Sequence, residues 1–571
     1  MASNGSRGPQ GFETIYKRRA TRLAVTIGLF VIAAGALPAA VYAFAPMATP
    51  PLSQHNQVTA AAIPKVIATP WKLVKPTATP LTKATARTSP TPGSSATPIV
   101  EPTGYANAGP IILPTATPTG QPTTQPTTGP TYGPTATPTA GPTGTPTAQP
   151  TAQPTATASQ PPVGVAGASF VSPSGSDAAA GTIDAPWRTL QHAADVATGT
   201  VYVRGGSYSG FTVTRSGLSF LAYSGETPIV NGGAGRTDVV VFRGVTSATI
   251  SGFTIQGNVS TYGCGIHVDG SSGVLISGNL VRNNHSFGIG VFRSGTVRID
   301  ANELTANDTG VEIEYGLAGN VVSHNSIHDN QTQVDESRGR DGVNVYYTSG
   351  ATTISANSFV HNGTHIEYYN SSNITISDNT LRDGSVLESG TDPGGTCRNI
   401  TFVRNVASRT NFGEYSDGII LRCASDSLFA NNTLSGLDTF GFDVVDGTQG
   451  IDFGGSIAGL RVVNNIILNG RAFSIDNTLP ASVVIDRNLS WGTSSALYAD
   501  YVAYVAGRGN TGSLATFRSW TGYQANGLQA DPKLADAAFH LSAGSPAIDR
   551  GAILPGIAYT GSAPDLGCWE R

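Results

Sequence analysis

From Cys264 to Asn488 apolar residues take alternate positions in short runs, as in "GIHVDGSSGVLISGN", "GIGVFRSGTVRIDAN" and "GVEIEYGLAGNVVSHN". A period of two is that of a β-strand with one buried face, and the Gly- and Ser-rich pieces between runs predict turns. Each copy therefore predicts two short strands. The copies close on Asn279, Asn302, Asn325, Asn357, Asn379, Asn432 and Asn465, with weaker ones ending at Asn405 and Asn488. A unit this small buries no core alone, whereas stacked copies do.

Four more copies, "GVNVYYTSGATTISAN", "HIEYYNSSNITISDN", "GIILRCASDSLFANN" and "GIDFGGSIAGLRVVNN", extend the array. Leucines at fixed positions or a period near 40 would indicate leucine-rich repeats or a propeller, and neither occurs. The pattern predicts a parallel β-solenoid with like residues stacked at about 4.8 Å per coil and an asparagine ladder along one corner. On these repeats the chain resembles the right-handed parallel β-helix superfamily of pectate-lyase-like proteins. The resemblance runs from about Ser169 to Arg571, including the opening "FVSPSGSDAAAGTIDAPWRTLQHAADVATGTVYVRGGSYSG" and the tail "FHLSAGSPAIDRGA" to "APDLGCWE". It implies an all-β, right-handed parallel β-helix whose open end is capped by a short amphipathic helix, Thr189 to Ala197. Such a fold hosts many functions.

Within a copy, the distance from the opening glycine or its equivalent to the closing asparagine is 14 or 15 residues throughout. The distance from asparagine to the next opening position varies: 9, 8, 17 and 8 for the first four gaps, 13 from Asn405 to Gly418 and 18 from Asn432 to Gly450. Extra length confined to one corner predicts loops that wall a binding face. The loops feed the strand that opens each copy. Its outward column reads His267, Gly290, Glu312, Asn344, Glu367, Asp392 (with Gly390 opening an irregular copy), Ile420, Asp452 and Ser474. A second column, two residues on, contains Asp269, Glu314, Tyr346, Tyr369 and Arg422.

Carboxylates stacked at coil spacing repel one another, so Glu312, Glu367 and Asp392 call for compensation. A raised pKa would supply it, as would a nearby Arg338, Arg340 or Arg422, or a calcium ion held by Glu312, Glu314 and Glu367. Asp269 and Asp452 stand as ordinary surface acids, and a solvated acidic face is the bland alternative.

Glycoside hydrolysis needs two carboxyls about 5–5.5 Å apart for retention or about 6.5–9.5 Å apart for inversion. Adjacent coils offer Glu367 and Asp392 for the first, and two coils offer Glu312 and Glu367 for the second. Tyr346 and Tyr369 supply ring faces for sugars, and Asn344, Asp341, Asp417 and Arg422 border the same space. The resemblance implies that acid pairs on this face serve glycosidases. It equally implies a calcium-dependent lyase for uronate polysaccharides, but that chemistry employs a Lys or Arg base, and no lysine falls in the coils. Arg422 or His365 would have to substitute. The third reading is a non-catalytic module that binds glycans at the cell surface.

Composition divides the chain. Residues 1–22 are basic; 23–45 form an uncharged stretch long enough to span a bilayer, either an anchor or a signal peptide cleaved after Val41-Tyr42-Ala43. Residues 46–162 are a disordered Pro/Thr-rich linker, and 163–571 form the β-helix domain, placed outside the membrane. Of 33 basic and 37 acidic residues, 10 and 2 fall before residue 163, leaving 23 and 35, a net of −12, on the domain. Lys533 is its only lysine, which argues against a nucleic-acid partner. Cys397 and Cys423 fall in successive coils and form the candidate disulfide; no zinc spacing is evident among the cysteines and histidines.

Overall fold

The structure is a computed structural model that describes residues 167–233, 236–330, 340–410, 416–449, 451, 453–492 and 502–571. The basic leader, the apolar stretch 23–45, the linker, Arg338 and Asp452 lie outside the described residues. Among the described residues no helix is long and apolar enough to cross a membrane.

The described strands form three sheets of 13 strands each, and strands neighbouring in a sheet come from successive coils. One coil runs Cys264–Asp269, Leu275–Ser277, Leu280–Arg282, each strand in a different sheet, before Phe287–Phe292 begins the next directly above Cys264–Asp269. The sheet containing Cys264–Asp269, here the groove sheet, begins at Phe211–Val213 and passes through Thr309–Glu314, Asp341–Tyr346, Thr364–Tyr369, Ser385–Gly390, Ile419–Leu421, Phe442–Val444 and Phe473–Ile475. Inward positions stack like on like: Ile266, Ile289, Val311, Val343, Ile366 and Leu387 share one column and are buried. Phe402 lies over Phe429, and Phe442 over Phe473, each pair nearly parallel.

The asparagine ladder runs unbroken from Asn279 through Asn302, Asn325, Asn357, Asn379, Asn405, Asn432 and Asn465 to Asn488. At each step the lower residue's backbone and side-chain N–H groups both donate to the carbonyl oxygen of the next side chain. An amide suits the corner because it accepts and donates at once. A second ladder, Asn258, Asn284, Asn307, Asn330 and Asn362, occupies the corner before the groove sheet. Its members from Asn284 on follow the first ladder by five residues, a spacing visible in "NLVRNN" and "NELTAN" that the repeat pattern above does not use.

Near the start of the solenoid, Leu190–Val196 is an α-helix whose Thr189 hydroxyl accepts from the His192 amide. Its Leu190, Ala193 and Ala194 are buried in the same core as the strands. At the other end the groove sheet changes direction: Ala503–Val505 lies parallel on Phe473–Ile475, and Gly509–Thr511 then turns back antiparallel to it. A second helix, Leu514–Thr521, follows and stacks Phe517 flat on Phe473, with ring centroids 5.6 Å apart. Cys397 and Cys423 are joined as a disulfide, Cα atoms 5.3 Å apart.

Candidate functional site

Strand pairing gives the outward column of the groove sheet directly: His267, Gly290, Glu312, Asn344, Glu367, Glu388, Ile420, Asp443, Ser474 and Tyr504. Two positions correct the sequence-based column. Glu388, not Asp392, stands beside Glu367, because the irregular copy opens at Val386 in the place that His365 takes one coil below, and Gly390 ends the strand. Asp443, not Asp452, follows Ile420, because "GFDVV" supplies the strand with Phe442 where other copies have Ile or Val.

The same pairing relocates two insertions. In chain order, the insertions between His328 and Asp341 and between Ser408 and Ile419 precede strands of the groove sheet as the gap lengths predict, whereas those after Gly390 and after Val444 follow its strands, so the extra length is not confined to one corner. The far segment meets the strand ends: the Thr391 amide donates to the Phe453 carbonyl at 2.9 Å, and the Phe453 ring lies 6.4 Å from that of Tyr369. The acids are not a solvated face. Glu312 and Glu367 are each 3 % exposed, and Asp341, Asn344, Glu388, Asp417 and Asp443 are also buried.

Burial has electrostatic consequences. The Glu312 carboxyl is pushed well above the ordinary range, first by desolvation and then by the charges of Glu314, Asp341 and Glu367; a hydrogen bond from Asn344 opposes this only in part. Asn344 also donates to Asp341 at 3.2 Å, tying the two acids through one amide. Glu314, at the groove edge, is raised by burial with Arg293 opposing. Asp443 is pushed up to about 8 by burial and by Asp476, while Arg422 and Ser474 pull it down and Asp417 adds to the rise. The Thr439 hydroxyl donates to Asp417. Two carboxyls raised above their ordinary range by burial, Glu312 and Asp443, therefore sit in one column of four acids.

For Asp443 the sign is fixed by the upward shift from 3.8 to about 8. The folded chain holds a proton there that the unfolded chain has released, so stability is full below about pH 4 and falls as pH rises toward 8. Asp443→Asn is expected to flatten that decline. It should leave the variant more stable than wild type at pH 8 by on the order of a few kcal/mol, read from denaturant midpoints across pH.

The remaining candidates fall in distinct places. Asp392 accepts from the hydroxyls of Tyr369 at 2.8 Å and Tyr347 at 3.2 Å and from the Asn370 amide at 2.6 Å, so it organises a tyrosine cluster at the far edge of the strands. Tyr346 and Tyr369 meet edge to face at 5.9 Å, and Tyr369 is buried. The more accessible ring surface belongs to Tyr315, 48 % exposed and stacked on Tyr347 at 5.4 Å. Both take left-handed backbone angles, φ 52° and 48°, uncommon for bulky residues. His365 is not on this face: it is fully buried beside Phe359 and Asn362, and burial pushes its imidazole down to about 3.

Calcium requires several oxygens converging on one point. Among the described residues the one set of three His, Cys, Asp or Glu ligand atoms that converges is Asp238, Cys264 and His267. Glu312, Glu314 and Glu367 form no such set, and Glu312 receives an amide N–H, which opposes a cation there. No step below runs through calcium.

Residues 238–407 and 342–511 match a family model described as "Right handed beta helix region". The matched residues are the coils of a right-handed parallel β-helix. Among curated relatives, this β-helix is 48 % identical over 73 residues to pectate lyase PEL9 of Emericella nidulans, covering 11 % of this chain and 18 % of that protein. It is 32 % identical over 137 residues to the uncharacterized protein YwoF of Bacillus subtilis, covering 21 % and 28 %. The β-helix thus spans less than a third of either relative. Among solved structures, pectate lyase Pel9A overlays with a TM-score of 0.36 at 16 % identity over 71 % of this chain and 96 % of that one. XylC in complex with xylose overlays with a TM-score of 0.46 at 12 % identity over 64 % and 87 %.

Proposed function

We propose that the β-helix domain cleaves a polysaccharide laid along the groove sheet, as a glycoside hydrolase in which Glu312 gives a proton to the leaving oxygen and Glu367 activates water. The observation that carries this reading is the pairing of a buried Glu312, its carboxyl pushed up by desolvation, with Glu367 two coils away. At about 4.8 Å per coil the two backbones are about 9.6 Å apart, near the upper end of the carboxyl separation that inversion uses. Asn344 stands between them as a positioning residue, and Glu388 lies in register beside Glu367. Tyr315 and Tyr347 offer a stacking surface beyond the strand ends. Asp392 is assigned to support those tyrosines rather than to the chemistry. The proposal places the domain outside the cell, tethered by residues 23–45 or released by cleavage there, on the Pro/Thr spacer.

The second reading, β-elimination, is favoured by the name of the 48 % identical relative. It would draw on Arg422, whose charge acts on Asp443 in the column's later half. One experiment separates the two. The full chain is incubated with a panel of neutral and acidic polysaccharides while reducing ends, ultraviolet absorbance and anomeric configuration are followed. The expected result is reducing ends of inverted configuration without new absorbance. Unsaturated products would transfer the assignment to a lyase, retained configuration would remove the Glu312–Glu367 pair, and binding without cleavage would leave a glycan-holding module.

A further inference from the structure

Two cysteines, Cys264 and Cys568, stand outside the disulfide, and both are buried. Cys264 and His267 are three residues apart on the strand Cys264–Asp269, and Asp238 comes from the coil before it. Sγ of Cys264, a ring nitrogen of His267 and a carboxylate oxygen of Asp238 all lie within 4.8 Å of one another. The carboxylate is anchored in place: Asp238 Oδ1 accepts from the Cys264 backbone amide at 2.9 Å and lies 3.2 Å from His267 Nδ1. Cys264 is fully buried, whereas the His267 side chain keeps 20 % of its surface, so the cluster is closed below and open along the imidazole. The coil above contributes Gly290, where a Cβ would stand 2.6 Å from the Cys264 sulfur, and Phe292, whose ring lies 4.9 Å from His267. Any larger residue at 290 would displace the thiol from its place beside the imidazole and carboxylate.

We propose that Asp238, Cys264 and His267 form a binding site for a divalent transition-metal ion of the zinc class. The donor set decides the class: a thiolate is a soft ligand that calcium and magnesium do not select, while sulfur, imidazole nitrogen and carboxylate together suit zinc. Thiolate and carboxylate neutralise a dication, so the filled site adds no net charge at the end of an acidic column. Three protein ligands leave a fourth tetrahedral position open, the arrangement of zinc sites that meet water or substrate. Position matters as well. His267 lies in the column that holds Glu312, with only Gly290 between them, so the ion would sit at one end of the groove. An imidazole–carboxylate pair alone would satisfy Asp238 and His267 without a thiol; the three-donor convergence is what a metal explains.

This inference stands independently of the proposed hydrolysis, and its test reads metal alone. The full chain, purified under reducing conditions and stripped with chelator, is titrated with zinc and, in parallel, with cobalt(II). Stoichiometric zinc uptake and a near-ultraviolet thiolate-to-cobalt band are expected. Cys264→Ser should abolish the band and weaken zinc by more than about 100-fold, beyond what loss of an outer-shell partner costs. Cys568→Ser should change neither. If Cys264→Ser proves unfolded by circular dichroism, His267→Ala decides, with the same loss of zinc expected. No zinc uptake by the wild-type chain, or a cobalt band that survives Cys264→Ser and vanishes in Cys568→Ser, would overturn the assignment.

Discussion

Glu367→Gln lowers kcat on the cleaved polysaccharide by about 10²–10⁴-fold while the melting transition stays in place, the loss expected when a positioned base is removed. The substitution keeps shape and hydrogen-bonding capacity, so a buried site is not left with a cavity. It also removes one of the charges that raise Glu312, which lowers the pH at which Glu312 gives up its proton. The companion variant, Glu312→Gln, is expected to lose activity on a similar scale and, unlike Glu367→Gln, to lose the alkaline fall of the pH–rate profile, because that fall reports Glu312 losing its proton. Retention of more than a tenth of wild-type activity in either variant, with the fold intact, would remove that residue from the mechanism. The control is Asp392→Asn, which keeps the tyrosine cluster together and should alter KM more than kcat.

The second large effect is structural. Asn379→Ala deletes the acceptor for both the backbone and side-chain N–H groups of Asn357, and the donor to the Ile354 carbonyl, all in the buried corner. Groups orphaned out of reach of water cost about 1–3 kcal/mol each, so for these three groups a loss of roughly 3–9 kcal/mol is expected. Because coils are coupled mainly to their neighbours, the damage should be local before it is global. Hydrogen exchange at the Asn357 amide should accelerate far more than at Asn279. A loss under about 1 kcal/mol would mean that water has entered the corner and replaced the missing amide.

How far the sequence reaches can be judged from these same residues. The first ladder is legible because only asparagine offers its acceptor and donors to three backbone or side-chain groups per coil, and so it recurs where little else does. Glu312, Asn344 and Glu367 are legible in register because a glycine or His365 opens each of their strands. Glu388 and Asp443 are not, because Val386 and "GFDVV" break the opening pattern while Gly390 and Gly450 imitate it. Their displacement matters: it exchanges Asp392, bound to tyrosines, for a carboxyl in direct register with Glu367. Burial of the column is illegible for another reason, since the repeat sets which residues point outward and not how much of each remains exposed. The Asp238, Cys264 and His267 cluster escapes because its aspartate lies a coil before the first recognisable copy, 26 residues from the thiol in sequence and adjacent to it in space.

The reversed strand Gly509–Thr511 bears on a hazard common to long stacked sheets. Every coil of the groove sheet could serve as a mould for one more, and a flat parallel edge left bare would invite the first coil of a neighbouring molecule to dock, molecule after molecule, into a fibre. With the last parallel edge of the groove sheet already occupied by an antiparallel partner, and Phe517 stacked on Phe473 behind it, this end of the groove sheet offers no parallel edge on which a further coil could pair.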